Sequence, residues 1–162
     1  MKSEMVSNEF EPVIFPDSRL LILGSLPSVQ SRKQGFYYLH PKNRFWMVLS
    51  ELFGDDFVQA QTSEKIICLK KHRIALYDVI VSCRIVGSSD QSIQPIQVSN
   101  IPALIQGTSI DRIYLNGQKA ADLYRRFFPD HQTHAMRLPS TSPANASWSL
   151  SRLIEAWRVI CE

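Results

Sequence analysis

Four short apolar runs recur along the chain, at Arg19 to Leu23, Ile74 to Val79, Arg112 to Leu115 and Thr133 to Leu138, and each gives way to small or polar residues. Runs of that length, bounded by turn-forming residues, read as strands. Between them the apolar positions recur at helical spacing. Residues 44–53 place Phe45, Val48, Leu49 and Leu52 on one face, and residues 63–72 turn Ile66, Ile67 and Leu69 inward. Residues 100–106, 117–128 and 147–159 read as three more helices. The last has Leu150, Leu153, Ile154 and Trp157 at core spacing and Ser147 placed to cap its start. The alternation of strand and helix predicts an α/β fold with a mostly parallel, four-stranded sheet covered on both faces. In such folds ligands bind outside the carboxyl ends of the strands, so the loops after each strand carry the functional interest. The longest polar stretch, Gly87 to Asn100, reads as a loop.

A chain of 162 residues with 44% hydrophobic content fits one domain, residues 1–162, with a substantial core. The formal charge of +3 is a weak pointer to an anionic partner. Cys68, Cys83 and Cys161 are too few and too scattered for a disulfide framework, a zinc site or an iron-sulfur cluster, so they read as reduced, structural thiols and the site as metal-free. No window has the length and apolarity of a signal peptide or a membrane span, which predicts a soluble intracellular (cytoplasmic) protein.

The loop after the first strand holds GSLPS, from Gly24, and runs through GFYYLHPKNRFW into the first predicted helix. Asn43, just ahead of that helix, reads on its own as a capping side chain. Tyr37 and Tyr38 are open to two readings, as rings that anchor the loop in the core or as faces that stack on a base. Asp78 ends the second strand, where a carboxylate either caps the loop or has a chemical task. The segment LPSTSPANAS, from Leu138, reads as a turn whose hydroxyls and amides could meet phosphate from the same sheet edge. No GxSxG elbow, Walker loop, GxGxxG or zinc-deaminase pattern occurs.

The run GSLPSVQSRKQGFYYLHPKNRFW resembles the first motif of the mismatch-specific uracil-DNA glycosylases. With DVIVSCRIVGSSDQSI and LPSTSPAN it is closer to the hypoxanthine-DNA glycosylase (DNA-deoxyinosine glycosylase) family of the same superfamily. The resemblance spans Leu20 to Trp157. It implies a three-layer α/β/α sandwich, monofunctional excision of a deaminated base from DNA, no cofactor and a monomer. Carried over residue by residue, it implies that Asn43 holds the attacking water, Tyr38 stacks on the flipped base, and main-chain amides of Ser25 and Leu26 meet a base carbonyl. Asp78 would read the purine edge, while Ser140, Thr141, Ser142 and Asn145 would contact DNA.

Two positions depart from other branches. Leu26 stands where they place a polar residue that orients water, and Leu138 where the most active uracil enzymes place a histidine. Asn43 is thereby the remaining candidate for catalysis. The residue that fills the vacated base stack is left open between Arg84 to Gln91 and the tip Pro143 to Asn145. A mismatch-specific uracil or ethenocytosine enzyme, a non-catalytic nucleic-acid-binding relative and an unrelated nucleotide-binding α/β domain are the competing readings.

Overall fold

The computed structural model describes residues 3–7, 10–86 and 94–162. A parallel sheet is built from β2 (Leu20–Gly24), β3 (Ile74–Asp78), β6 (Arg112–Asn116) and β7 (Ala135–Leu138), in the order β3-β2-β6-β7. Each of these strands lies within a residue or two of its predicted run. A second, antiparallel sheet of β1 (Ser3–Ser7), β4 (Ile80–Val86) and β5 (Gln94–Val98), in the order β1-β4-β5, has no counterpart in the apolar pattern. The predicted loop Gly87 to Asn100 is therefore corrected at 94–98, which pair with β4; residues 87–93 lie outside the described residues.

Both faces of the parallel sheet are buried at β2, β3 and β6, while the edge strand β7 leaves Met136 and Arg137 exposed, and side chains alternate between the faces as strand geometry requires. Leu20, Ile22, Ile74, Leu76 and Tyr114 face one core with α2 (Phe45–Phe53), α3 (Thr62–Lys71) and α6 (Leu150–Trp157), which contribute Phe45, Val48, Leu49, Leu69, Leu153 and Trp157. Leu21, Leu23, Ala75, Ile113 and Leu115 face the other with α4 (Ile101–Ile105) and α5 (Gln118–Phe127), which supply Ile101, Ala120, Ala121, Leu123 and Tyr124. Val6 and Cys83 join this second core from the antiparallel sheet. The arrangement is the three-layer α/β/α sandwich, extended by an antiparallel sheet.

Three local expectations change. Ile67 is 67% exposed, because α3 turns Ile66 and Leu69 inward and leaves position 67 on the outer face. Leu150, at 36%, sits in the open first turn of α6. That helix is capped by Ser149, whose hydroxyl accepts from Arg152 N at 3.2 Å, and not by Ser147. A further helix, α1 (Val29–Gln34), follows GSLPS; the Ser28 side chain caps its start and Gly35, at φ 80°, closes its end.

Parallel register brings the carboxyl ends of the four strands together. Gly24 pairs with Asp78, Leu23 with Leu115, and Asn116 with Leu138. The segments that follow, starting at Ser25, Val79, Gly117 and Pro139, therefore open on one edge of the molecule.

Candidate active site

Asp78 occupies the end of β3 and is 2% exposed. Its main-chain carbonyl accepts from the Ser99 hydroxyl at 2.7 Å, which pins the strand end. Beside it, Gly24 leaves the space that a side chain would fill: a β-carbon there would stand 2.6 Å from Asp78 Oδ1 and 3.0 Å from the Tyr38 hydroxyl. The first loop glycine is thus required by a close approach of two polar groups.

Tyr37 and Tyr38 separate cleanly. Tyr37 is core: it is buried, its hydroxyl donates to Glu11 O at 2.8 Å, and its carbonyl accepts from Trp46 Nε1 at 3.1 Å. Tyr38 turns the other way. Its backbone is left-handed, with φ 56°, a conformation that costs a non-glycine residue and is often retained at functional sites. Its ring stacks on Phe45 with centroids 4.0 Å apart and planes at 25°. The Tyr38 hydroxyl is buried without a hydrogen-bond partner. Burial first and the Asp78 charge second push its pKa well above the ordinary tyrosine value. The Asn116 side chain pulls in the opposite direction, although it makes no well-formed hydrogen bond to the hydroxyl. The phenol is therefore a neutral group whose hydrogen-bonding capacity is unspent in the free protein.

Asn43 lies one residue before α2 begins its N-cap turn. Its Oδ1 accepts from Phe45 N at 2.9 Å, and its own N–H donates to His40 O at 2.9 Å. The N-cap residue of α2 is Arg44, which has no side-chain cap, so the capping reading is corrected: Asn43 stands one residue further out and meets the first helical amide through a short Asx-type turn. An amide oxygen has two lone pairs and the NH2 group adds two donors, so this one bond does not exhaust the side chain. Phe45 links the two candidates, since it carries the Tyr38 stack on its ring and the Asn43 hydrogen bond on its amide.

Ser25 and Leu26 follow Gly24 at the same edge, with the Ser25 carbonyl bound to Ile80 N at 3.0 Å. Leu26 packs partly buried against the second core, consistent with a spacer and not a water ligand. Leu138 is buried in the first core.

The segment after β7 is more tightly built than its turn-rich sequence implied. Thr141 is wholly buried: its N–H donates to Asn116 Oδ1, its hydroxyl accepts from Asn116 Nδ2, both at 3.1 Å, and its carbonyl accepts from Arg44 N at 3.1 Å. The expected DNA contact at Thr141 is therefore corrected; its side chain has no surface to offer a phosphate and serves to hold the loop. Ser140 Oγ accepts from Ser142 N at 3.1 Å, and Asn145 Nδ2 donates to Ser140 O at 3.0 Å. Ser140, Ser142 and Asn145 keep partial exposure. Trp157 Nε1 braces the segment through Pro139 O at 2.9 Å, and Gly117 lets it come near, since a β-carbon there would stand 2.9 Å from Ser140 Cβ.

Sequence reading missed Arg44 and Asn116. The Arg44 guanidinium donates to three main-chain carbonyls of this segment, those of Ser142 at 3.0 Å, Asn145 at 3.1 Å and Trp148. A cation beside an asparagine in a helix-start motif gave no hint of partners about a hundred residues on. Of the two wedge segments, 87–91 lie outside the described residues, Arg84 is exposed on β4, and Pro143 to Asn145 sit at the tip of the braced loop.

Among the described residues, no group of three or more His, Cys, Asp and Glu side chains could hold a metal ion, and no helix is long and apolar enough to cross a membrane. A cavity of about 280 Å³ lined by Ile113, Tyr124, His131 and His134 lies at the strand-start end of β6 and β7, away from this chemistry.

The comparisons with known proteins bear on the family and the fold. The uracil DNA glycosylase superfamily model matches residues 12–161. A protein of Methanosarcina acetivorans named hypoxanthine DNA glycosylase is 31% identical over 96% of this chain and 98% of its own length. One of the same name from Methanosarcina barkeri is 30% identical over 73% of this chain and 75% of its own. A solution NMR structure from Methanosarcina acetivorans, described as a candidate uracil DNA glycosylase, superposes with a TM-score of 0.81 at 31% identity, covering 93% of each chain. By sequence over nearly its whole length and by fold, the chain belongs to the uracil DNA glycosylase superfamily.

Proposed function

We propose that this chain, as a single domain acting as a monomer on intracellular DNA, flips hypoxanthine out of deoxyinosine-containing DNA and hydrolyses its N-glycosidic bond. The observation that carries the substrate is the similarity, at 31% identity over 96% of this chain, to a relative named for that base. Extruding a base costs a few kcal/mol, least for a weakly paired one, so part of the selectivity precedes entry into the pocket.

In the pocket, Tyr38 supplies a ring and a buried, neutral hydroxyl, and Asp78 supplies a carboxyl group to the purine edge, accepting N1–H of hypoxanthine when ionised or donating to O6 or N7 when protonated. Main-chain amides of Ser25 and Leu26 bond the base carbonyl. Asn43 uses the second lone pair of Oδ1 to hold water on the sugar. As the C1′–N9 bond breaks, its electron pair leaves with the purine, which takes up a proton. The water oxygen bonds C1′ and its proton passes to solvent. Protein dipoles and the DNA phosphates stabilise the oxocarbenium-like sugar between these events. Ser140, Ser142 and Asn145 meet the DNA backbone from the braced loop.

A mismatch-uracil activity is the second reading, favoured by the HPKNRFW run and the structural neighbour's description. The test is single-turnover release from labelled duplexes carrying hypoxanthine, uracil or thymine, with alkali cleavage revealing abasic sites. Hypoxanthine release with little or no uracil release supports the proposal. Release from uracil alone transfers the chain to the second reading, and DNA binding without release of any base leaves a non-catalytic relative.

A further inference from the structure

Arg44 is placed where the two halves of the site meet. Its main chain opens α2 directly after Asn43, and its N–H donates to Thr141 O at 3.1 Å. Its guanidinium reaches past that residue to the carbonyls of Ser142, Asn145 and Trp148, which span the turn 142–148. Among the described residues no carboxylate forms an ion pair with it. The planar guanidinium carries five donors in a fixed fork, a geometry that an ammonium cannot reproduce. The carbonyls it gathers would otherwise diverge, because Ser/Pro-rich turns have no ladder to satisfy them.

We infer that Arg44 is a positioning residue for base release: it fixes the DNA-facing loop 138–148 onto the start of α2, so that DNA seated on the loop also sets Asn43. The inference rests on the glycosylase reading above. Seating the strand pulls on carbonyls held by the side chain of the residue that follows Asn43. A shift in the loop is thereby passed to the helix start through one rigid group. Asn116 holds the same loop from the sheet side through Thr141, so the loop keeps its anchor on β6 when the Arg44 clasp is lost.

The experiment compares wild type, Arg44→Lys and Arg44→Ala in single-turnover release from a hypoxanthine duplex at saturating enzyme, alongside equilibrium binding to an abasic duplex. Fold is monitored by thermal melting. Misplacing a reacting group by about 1 Å can cost on the order of 10²-fold in rate. The Lys variant, which keeps the charge, should therefore fold normally and lose at least roughly tenfold in the release rate, with a smaller loss in abasic-duplex affinity. Guanidinium ion at millimolar concentration should restore part of the Arg44→Ala rate, and sodium chloride at equal ionic strength should not.

Normal release by the folded Lys variant, or Ala activity that guanidinium leaves unmoved, would overturn the inference. A loss confined to binding, with the saturated rate unchanged, would also overturn it and leave Arg44 a charge on the DNA surface. If wild type releases no base at all, the glycosylase reading fails first and the positioning role falls with it. A wild type that is active beside variants that are normal isolates the failure to Arg44.

Discussion

Gly24 and Asp78 are register partners at the ends of β2 and β3, and Asp78 Oδ1 occupies space only 2.6 Å from where a β-carbon of residue 24 would be. The Tyr38 hydroxyl closes the same point from the other side at 3.0 Å. Real β-carbons do not tolerate the first distance, and neither neighbour is the free end of a flexible surface chain. Gly24→Ala must therefore displace the carboxylate, the phenol or the strand end. The expected result is a loss of about 1 to 3 kcal/mol in stability from local overpacking, and a larger fall in base release per folded molecule than in DNA binding. Urea denaturation and single-turnover release would check it; a variant with normal release would show that the position of Asp78 is not critical.

Tyr38→Phe separates stability from recognition. The hydroxyl it removes is buried and unpartnered in the free protein, and such a group costs about 1 to 3 kcal/mol of desolvation. The variant should melt at the same temperature or higher, since the stack on Phe45 is retained. If the phenol meets the base, hypoxanthine release should fall although stability does not. Equal release by the variant and the native enzyme would confine the role of Tyr38 to its ring.

The central strands and the candidate edge were legible because β2 and β3, buried on both faces, leave uninterrupted apolar runs, and because the residues that end them, Gly24 and Asp78, break those runs visibly. The antiparallel sheet was not. β4 interleaves Ser82 and Arg84 with apolar residues, and β5 carries Pro95, which fits only an edge strand because it cannot donate to a ladder. Helix α1 has almost no apolar face and rests on its caps. Asn43 and Tyr38 could be named from motif resemblance, but which of two adjacent tyrosines faces the site is set by a left-handed backbone at Tyr38 that no periodicity encodes. Thr141 looked like a surface hydroxyl because turn residues usually are exposed. Its burial, and the reach of Arg44, depend on contacts separated by 25 to 104 residues.

Alkaline pH should unfold the protein in a way that reports the site. Burial raises the pKa values of Tyr37 and Tyr38 above the ordinary value near 10.0, with Asp78 adding to both. Below about pH 10 both tyrosines are neutral in the folded and unfolded chains and contribute no slope. Above it the unfolded chain loses protons that the folded chain keeps, so stability falls as pH rises, at most by about 1.4 kcal/mol per pH unit for each tyrosine. Burial also raises the Cys68, Cys83 and Cys161 thiols above their ordinary value of 9.0, so denaturant midpoints should begin to decline gently near that pH and more steeply once the tyrosines join above about pH 10. Tyr38→Phe should make that decline shallower; an unchanged slope would mean that the phenol ionises as readily in the folded chain as in the unfolded one.

Substitution can divide the observed structural role of Asn43 from the catalytic one proposed for it. Its Oδ1 accepts from Phe45 N at the start of α2, so Asn43→Ala should cost about 0.5 to 1.5 kcal/mol for the lost hydrogen bond. Asn43→Asp keeps a carboxylate oxygen in the same place and adds a charge that favours a helix N-terminus, so it should hold stability within about 0.5 kcal/mol of the native protein. If the second lone pair of that oxygen holds the attacking water, the Asp variant should release hypoxanthine within roughly tenfold of wild type, because the acceptor survives. The Ala variant should lose on the order of 10²-fold or more per folded molecule. Measured side by side with melting temperatures, equal and severe losses in both variants would move the chemistry from the oxygen to the NH2 group. Near-normal release in both would leave Asn43 only its bond to the helix start, and the water would have to be held elsewhere on this edge.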